Sequence, residues 1–203
     1  MTPETVVFDL DGVLIDSFEI WRHLLNYAME AHGRAPLTVG EFTAVWGQGM
    51  EADIRMFFPG LTVAELQDFY ENRFGRFLDQ LKVFPDTRRV VKKLRARGFK
   101  LAIASNSAPR IIEESLIAAD LKGFFPVAVG AGGVLRGKPE PDTLLLAMEK
   151  TGVVPAGTVF VGDSLYDMEA GRRAGVPTVG LGCDGGAWRI ERLGELLTLP
   201  IFS

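Results

Sequence analysis

Short apolar runs that alternate with longer amphipathic stretches constrain the fold of this chain more than any other feature of its sequence. The apolar runs are Thr5–Leu10, Lys100–Ser105, Pro126–Gly130, Thr158–Gly162 and Pro177–Leu181. Because consecutive positions are apolar, each run suits a strand that is covered on both faces. Helical patterns lie between the runs, with Asp86 and Ser107 as expected N-caps and Gly152 as an expected stop. Strands that alternate with helices predict an α/β fold with a Rossmann-like parallel sheet.

The interval between the first two strands is longer than a crossover needs, and its own pattern is helical. Turn residues interrupt that pattern at Gly33–Pro36, Trp46–Gly49 and Pro59–Gly60. We therefore expect a small helical domain at residues 17–81, inserted into a core domain formed by residues 1–16 and 82–203. A further amphipathic helix is expected over Trp188–Leu197, where it would pack on the sheet or form a dimer contact.

Composition and charge exclude several classes of protein. The 203 residues carry a net charge of −4 and include one cysteine, Cys183, and two histidines, His23 and His32. Binding to nucleic acid or to an anionic membrane is not expected without a basic field, and neither is a disulfide or a Cys/His zinc site. No apolar run approaches the roughly 20 residues that span a bilayer, and the N-terminus does not resemble a secretory signal. We expect a cytoplasmic protein that is a monomer or a homodimer.

Two pairs of carboxylates follow two of the predicted strands. Asp9 and Asp11 lie two residues apart after the first strand, and Asp163 and Asp167 lie four residues apart where the fourth strand leads into a helix. Either pair alone could serve only to cap a turn or a helix. An EF-hand is excluded because Gly12 comes too early for its third oxygen ligand. If the two strands are neighbours, the carboxylates repel one another unless a cation lies between them, and oxygen ligands favour Mg²⁺ over zinc.

A hydroxyl and a lysine follow the two other strands. Ser105 and Asn106 end the second strand, where a hydroxyl and the N–H groups of a helix start either bind an anion or simply cap the helix. Lys138 follows the third strand and, taken alone, is typical of a solvated lysine before a helix. In open parallel sheets, however, ligands bind at the C-terminal ends of the strands. A central first strand would therefore bring all four groups to one site.

In this order, the four motifs resemble those of the haloacid dehalogenase (HAD) superfamily of phosphohydrolases. They read Asp9-x-Asp11-Gly12-Val13, Ser105, Lys138-Pro139 and Gly162-Asp163-x-x-x-Asp167, and the similarity extends from Val6 to about Gly182. The resemblance implies a HAD-like core with a helical cap at the inserted position. The chain is most similar to the phosphoglycolate phosphatase and β-phosphoglucomutase group, which implies a phosphoric monoester hydrolase acting on a small phosphorylated metabolite.

The resemblance also implies roles for the four aspartates. Asp9 is expected to attack phosphorus and form an aspartyl phosphate, which divides one displacement into two. Asp11 is expected to protonate the leaving oxygen and later to accept a proton from water. Asp9, the Asp11 backbone carbonyl and Asp163 are expected to hold Mg²⁺, with Asp167 in support.

Phosphate and substrate contacts follow from the same resemblance. Ser105, the backbone amides near Asn106, and Lys138 are expected to bind the phosphoryl oxygens. Three residues after the Trp46–Gly47 turn are candidates for contact with the rest of the substrate: Gln48, Glu51 and Arg55. Trp21, Trp46 and Phe58 are expected in the core of the cap.

Departures from the family's patterns separate its activities. Asp11 is the residue that dehalogenases of this superfamily lack, which favours phosphoryl chemistry. β-Phosphoglucomutases carry a histidine at the position of Trp21 and an arginine at the position of Met50, so a mutase-like phosphotransferase is the alternative, with His23 nearby in sequence. A receiver-type signalling module is an alternative from a different class. It would need a phospho-acceptor after the third strand, and no aspartate ends Pro126–Gly130.

Overall fold

A parallel sheet with its first strand in the middle forms the centre of the protein. The computed structural model describes residues 3–202, and its strands are β1 (Thr5–Phe8), β2 (Ile15–Asp16), β3 (Lys82–Val83), β4 (Lys100–Ala104), β5 (Val127–Val129), β6 (Thr158–Gly162), β7 (Thr178–Leu181) and β8 (Trp188–Ile190). Six strands are parallel in the order β5-β4-β1-β6-β7-β8. Strands β2 and β3 form a separate antiparallel pair. The predicted α/β fold class is therefore confirmed.

The helices are divided between the sheet and the long interval after β2. They are α1 (Phe18–Ala31), α2 (Val39–Val45), α3 (Met50–Phe57), α4 (Val63–Phe74), α5 (Thr87–Ala96), α6 (Pro109–Ala118), α7 (Asp142–Thr151) and α8 (Leu165–Ala174). Across residues 3–202 none of them is both long enough and apolar enough to cross a bilayer.

Both faces of β1 are buried, which explains its run of consecutive apolar residues. Val6 and Phe8 pack in one apolar cluster with residues of α5 and α6, whereas Val7 packs in another with residues of α7 and α8. The register pairs Phe8 with Ile103 of β4 on one side and Val161 of β6 on the other. The residues that follow these three strands therefore emerge side by side at one edge of the sheet.

Helices α1 to α4 have an apolar cluster of their own. It includes Ile20, Phe42, Leu66 and Phe74, and α6 contributes Ile111 to it. Helices α2 and α4 each begin at a threonine with a reciprocal glutamate three residues later, so both starts are fixed locally. These helices therefore share one core, and α6 links that core to the sheet. The proposed domain boundaries at residues 17 and 81 stay a prediction.

The helix predicted over Trp188–Leu197 is wrong. The segment begins with β8, which pairs with β7, and continues as a 3-10 helix over Leu193–Thr198. Gly186 permits this course because a Cβ there would lie 2.9 Å from the Thr178 carbonyl oxygen and 3.0 Å from the Gly180 nitrogen. A bare backbone can thus approach β7, and the edge of the sheet gains a strand where local periodicity alone predicts a helix.

Candidate active site

One cavity lies between the C-terminal edge of the sheet and helices α1 to α4. Its volume is about 90 Å³, room for several water-sized groups. Strand ends and the loop before α7 supply the polar side chains on its sheet side, which are those of Asp9, Asp11, Ser105, Asn106, Ser107, Lys138 and Asp163. Side chains predicted separately from four motifs are therefore brought together.

Lys138 joins two of the carboxylates. Its Nζ lies 2.9 Å from Asp9 Oδ1 and 2.6 Å from Asp167 Oδ1. Burial disfavours the charge of Lys138, but Asp167 and Asp9 outweigh that effect and raise the pKa of the ammonium. Asp9 Oδ1 also accepts a hydrogen bond from the Leu10 N–H at 2.8 Å. Asp9 Oδ2 accepts none from the described residues, so this oxygen is available to a ligand.

The remaining negative charge fits a divalent cation. Asp9, Asp163 and Asp167 each place a carboxylate oxygen within 4.8 Å of the others. Burial raises the pKa of Asp9 well above its usual value, against the opposing effect of Lys138. Burial and then the Asp167 carboxylate raise the pKa of Asp163 to about 7. Lys138 is the single cationic side chain among the described residues lining the cavity, and a site of oxygen ligands with excess negative charge suits Mg²⁺.

Asp167 differs from the other two because its oxygens are already occupied. Oδ1 accepts from Lys138, and Oδ2 accepts from the backbone N–H of Ser164 at 3.0 Å and from its hydroxyl at 2.5 Å. This reciprocal cap fixes the start of α8. The geometry therefore suits a supporting position for Asp167 and leaves Asp9 and Asp163 with freer oxygens.

Gly12 lets the two acidic loops approach each other. Its φ is +81°, and a Cβ there would lie 2.0 Å from Asp163 Oδ2. We expect Gly12→Ala to displace Asp163 and to lower the free energy of unfolding by about 1–3 kcal/mol through the clash, beyond the roughly 1 kcal/mol that positive φ costs alanine. Urea unfolding measures the loss.

Gly152→Ala is the matched control for that substitution. Gly152 has a φ of +70°, and a Cβ there would meet nothing within 4 Å. The variant therefore carries the backbone strain without the clash. Equal losses of stability in the two variants would contradict the close approach of Gly12 to Asp163.

The Asp11 carboxylate lies apart from the acidic cluster and accepts three hydrogen bonds. Ser17 Oγ donates at 2.5 Å, Ser107 Oγ at 2.7 Å and Trp21 Nε1 at 3.1 Å. Ser107 was expected to cap α6, but Ala108 occupies the N-cap position, and the Ser107 hydroxyl is used at the site instead. The contribution of the Asp11 backbone carbonyl to a metal site stays a prediction.

Two tryptophans expected in the core of the cap also line the cavity. Trp21 donates to Asp11, and Trp46 Nε1 donates to Asp163 Oδ2 at 3.3 Å. Phe58, by contrast, is buried with the apolar cluster of α1 to α4. An indole N–H that is withdrawn from water needs an acceptor. The carboxylates of the nearby site were therefore the signal that could have distinguished the two tryptophans from Phe58.

The Asn106 side chain holds two loops together. Its Nδ2 donates to the Lys138 carbonyl at 3.0 Å and to the Gly47 carbonyl at 3.4 Å, while its Oδ1 accepts from the Lys138 N–H at 2.6 Å. Asn106 therefore positions Lys138 through its side chain. Phosphate binding by the backbone amides near Asn106 stays a prediction, as does binding by Ser105, whose Oγ accepts from the Ser107 N–H at 3.0 Å.

The three candidates for substrate contact are placed differently from one another. Gln48 lines the cavity, whereas Glu51 and Arg55 are exposed on α3 and do not line it. Gln48 Nε2 donates to Asp53 Oδ1 at 2.6 Å, and Asp53 itself lines the cavity. Sequence reasoning missed Asp53, although an acid among the apolar residues of α3 was a usable signal.

His23 and Met50 bear on the mutase alternative. His23 lies outside the cavity lining, with Nδ1 2.9 Å from Gln80 Oε1. Met50 lines the cavity but carries no charge. His23 therefore does not replace the histidine that β-phosphoglucomutases carry at the position of Trp21, and Met50 does not replace their arginine.

Comparison with known proteins agrees with these observations. A family model described as haloacid dehalogenase-like hydrolase matches residues 6–181. The chain is 31% identical over 188 residues to a phosphoglycolate phosphatase of Pseudomonas putida, which covers 88% of this chain and 69% of that protein. It is 29% identical over 181 residues to a phosphorylated carbohydrates phosphatase of Thermotoga maritima, which covers 87% and 83%. A solved hydrolase structure from Pseudomonas syringae has a TM-score of 0.82 at 26% identity and covers 96% of each chain.

Proposed function

This chain belongs to the haloacid dehalogenase-like hydrolase family, and we propose that within the family it is a cytoplasmic, Mg²⁺-dependent phosphatase that forms an aspartyl-phosphate intermediate. It is a phosphoric monoester hydrolase. Its substrate is a small phosphorylated metabolite of the phosphoglycolate or sugar-phosphate type, as the names of its relatives suggest. The observation that carries the proposal is the meeting of Asp9, Ser105, Lys138 and Asp163 in one cavity.

Asp9 is the proposed nucleophile. Lys138 and the Leu10 N–H hold Asp9 Oδ1, so the carboxylate is fixed while Oδ2 faces the phosphorus. Lys138 also offsets negative charge on the phosphoryl oxygens, to which Ser105 and the amides near Asn106 donate. Phosphoryl transfer chiefly requires such positioning and charge stabilisation. Asp9, the Asp11 carbonyl and Asp163 would hold Mg²⁺ with Asp167 in support, and the ion would neutralise charge on the transferring group.

Asp11 is the proposed general acid and base. The hydroxyls of Ser17 and Ser107 donate hydrogen bonds to the Asp11 carboxylate. Because a hydroxyl can rotate, each can also accept a hydrogen bond from Asp11 when Asp11 is protonated. Both states of the carboxyl are thus accommodated. A protonated Asp11 can give its proton to the leaving oxygen, and an ionised Asp11 can take one from the water that attacks the aspartyl phosphate.

Residues 17–81 are the proposed cap. Trp21 and Trp46 contact the two acidic loops across the cavity, which supports a closed arrangement in which bulk water is excluded. Exclusion of bulk water strengthens each electrostatic contact in the site and favours transfer of the phosphoryl group to Asp9.

A phosphate-release assay with a metal titration tests this function. We expect hydrolysis of acetyl phosphate and of small phosphate monoesters with Mg²⁺, and its loss with EDTA. Because Trp46 contacts Asp163, Mg²⁺ is expected to change the tryptophan fluorescence, and Trp46→Phe to reduce that change. Trp188→Phe, on β8, is the control and should leave it in place. Undiminished hydrolysis in EDTA, or none on any monoester, would contradict the proposal.

A further inference from the structure

The half of the cavity away from the strand ends combines aromatic walls with hydrogen-bond acceptors. Helices α1 to α4 and the loop before α3 contribute its side chains, which are Trp21, Leu25, Phe42, Val45, Trp46, Gln48, Met50, Asp53, Gln67 and Tyr70. Gln48 and Gln67 each donate one of their two amide N–H groups to a carboxylate of the protein, that of Asp53 and that of Glu71. Their amide oxygens remain as acceptors, and each keeps one neutral N–H donor.

Asp53 is the charged group in this half of the cavity. Its carboxylate accepts a hydrogen bond from Gln48, lies beside the Tyr70 hydroxyl, and is paired with no cation among the described residues. Burial raises the pKa of Asp53 to about 7, against the opposing effect of Gln48. A carboxylate that is largely withdrawn from water is costly without a counter-charge, and the described residues supply Asp53 with no cationic partner.

Tyr70 adds a second unsatisfied group beside Asp53. Its side chain is 2% exposed and its hydroxyl lies beside the Asp53 carboxylate, but it makes no well-aligned hydrogen bond among the described residues. Burial and then the Asp53 charge raise the pKa of the Tyr70 phenol, so the hydroxyl keeps its proton. A ligand group that both donates and accepts would satisfy Asp53 and Tyr70 together.

Positive charge is absent from the described part of this half of the cavity. Residues 17–81 contain nine acidic residues, five arginines and no lysine. The arginines do not line the cavity: Arg34, Arg55 and Arg76 are exposed, Arg22 pairs with Glu19, and Arg73 stacks on Phe69 at 3.8 Å. Lys138, at the other end, is held by two carboxylates. A second anionic group on a substrate would therefore meet Asp53 and no counter-charge.

We infer that the substrate's leaving group carries no second negative charge and presents a hydroxyl or amino donor to Asp53. The inference rests on the proposed phosphatase function and narrows it to one substrate class. It excludes a carboxylate at that end as in phosphoglycolate, and it makes Asp53 a specificity-determining residue of the cap.

Three phosphate monoesters with the same two-carbon chain test the inference. They are 2-hydroxyethyl phosphate, 2-aminoethyl phosphate and phosphoglycolate, which place a hydroxyl, an ammonium and a carboxylate at the same distance from phosphorus. We expect kcat/KM to be at least about tenfold lower for phosphoglycolate than for the better of the other two, since burying like charges together costs several kcal/mol and each tenfold step is about 1.4 kcal/mol. The better of the two identifies the donor as hydroxyl or ammonium.

Asp53→Asn tests the residue itself. Without the negative charge, the ratio of kcat/KM for phosphoglycolate to that for 2-hydroxyethyl phosphate should rise by about tenfold. Asp68→Asn on α4 is the matched control, because Asp68 is exposed, makes no ion pair within residues 3–202 and does not line the cavity. It removes the same charge from the same segment and should leave the ratio unchanged.

The pH dependence of the same ratio gives a third readout. Glu51 on α3 and Tyr70 on α4 are the titratable groups that influence Asp53. The second ionisation of each substrate's phosphate is the same in assays of the wild type and of Asp53→Asn, so the comparison of the two proteins removes it. Asp53 is neutral below its pKa, so the wild-type ratio should rise as pH falls from 8 to 6, and the Asp53→Asn ratio should stay level.

The outcomes separate the inference from the function on which it rests. If acetyl phosphate and all three monoesters resist hydrolysis, the phosphatase function itself fails. If hydrolysis occurs but phosphoglycolate is the best of the three, or Asp53→Asn leaves every ratio unchanged, the function stands and the inference is overturned.

Discussion

Asp9→Asn is expected to reduce phosphate release by at least about 10³-fold while the chain stays folded. An amide cannot attack phosphorus, and removal of a nucleophile costs on the order of 10³-fold to 10⁶-fold in comparable enzymes. The fold should survive because Lys138 keeps its second partner, Asp167, at 2.6 Å. Asparagine also removes a buried carboxylate whose pKa is raised by burial, so no buried charge is left without a partner.

Two measurements make this prediction specific. Rapid quenching with ³²P-labelled substrate should trap label on the wild-type protein and none on Asp9→Asn, and urea unfolding should show similar stability for the two. Asp68→Asn, the exposed control, should retain full turnover. Label on Asp9→Asn, or turnover within tenfold of the wild type, would assign the nucleophile elsewhere.

Lys138→Met is expected to lower both stability and activity. Lys138 is 4% exposed and its ammonium joins Asp9 to Asp167. Breaking a buried pair by removing one partner costs about 3–5 kcal/mol. Methionine is similar in length, so the loss reflects charge more than volume. Turnover should fall by about 10²-fold or more, because the cation also stabilises charge on the transferring phosphoryl group.

Lys92→Met provides the comparison for this variant. Lys92 lies on α5 and is exposed, so replacing it should change the free energy of unfolding by less than about 0.5 kcal/mol and leave turnover intact. Chemical denaturation followed by circular dichroism measures the first quantity and phosphate release the second. A Lys138→Met protein as stable as Lys92→Met would show that the two ion pairs contribute nothing net to the fold.

The motif residues were predictable because each depends on a short stretch of chain. Asp9, Ser105 and Asp163 directly follow apolar runs that form β1, β4 and β6, and parallel strands bring such ends to one edge of the sheet. Lys138 was harder to predict from its local sequence, because its buried ion pair is with Asp167, which lies 29 residues away in the chain. Its place in the order of the four motifs was what identified Lys138 as a candidate.

The helical segment was less predictable for a physical reason. Trp46 and Phe58 have the same local signal, an aromatic residue at the end of a short helix, yet only Trp46 reaches a catalytic loop. Which face of a helix meets the cavity depends on how α1 to α4 pack against α6. Asp53 was missed for the same reason, since its position in the cavity depends on helix packing. The helix predicted over Trp188–Leu197 was wrong because pairing with the free edge of β7 competes with local helical periodicity.

The sequence by itself thus determined the parallel sheet, the strand ends and which polar residues follow those ends, because apolar periodicity and turn residues act over a few positions. Only the tertiary structure decided that Trp21 and Ser107 hold Asp11, and that Asp53 faces the cavity without a cation. Those contacts join residues far apart in the chain, and their existence depends on packing that no local pattern encodes.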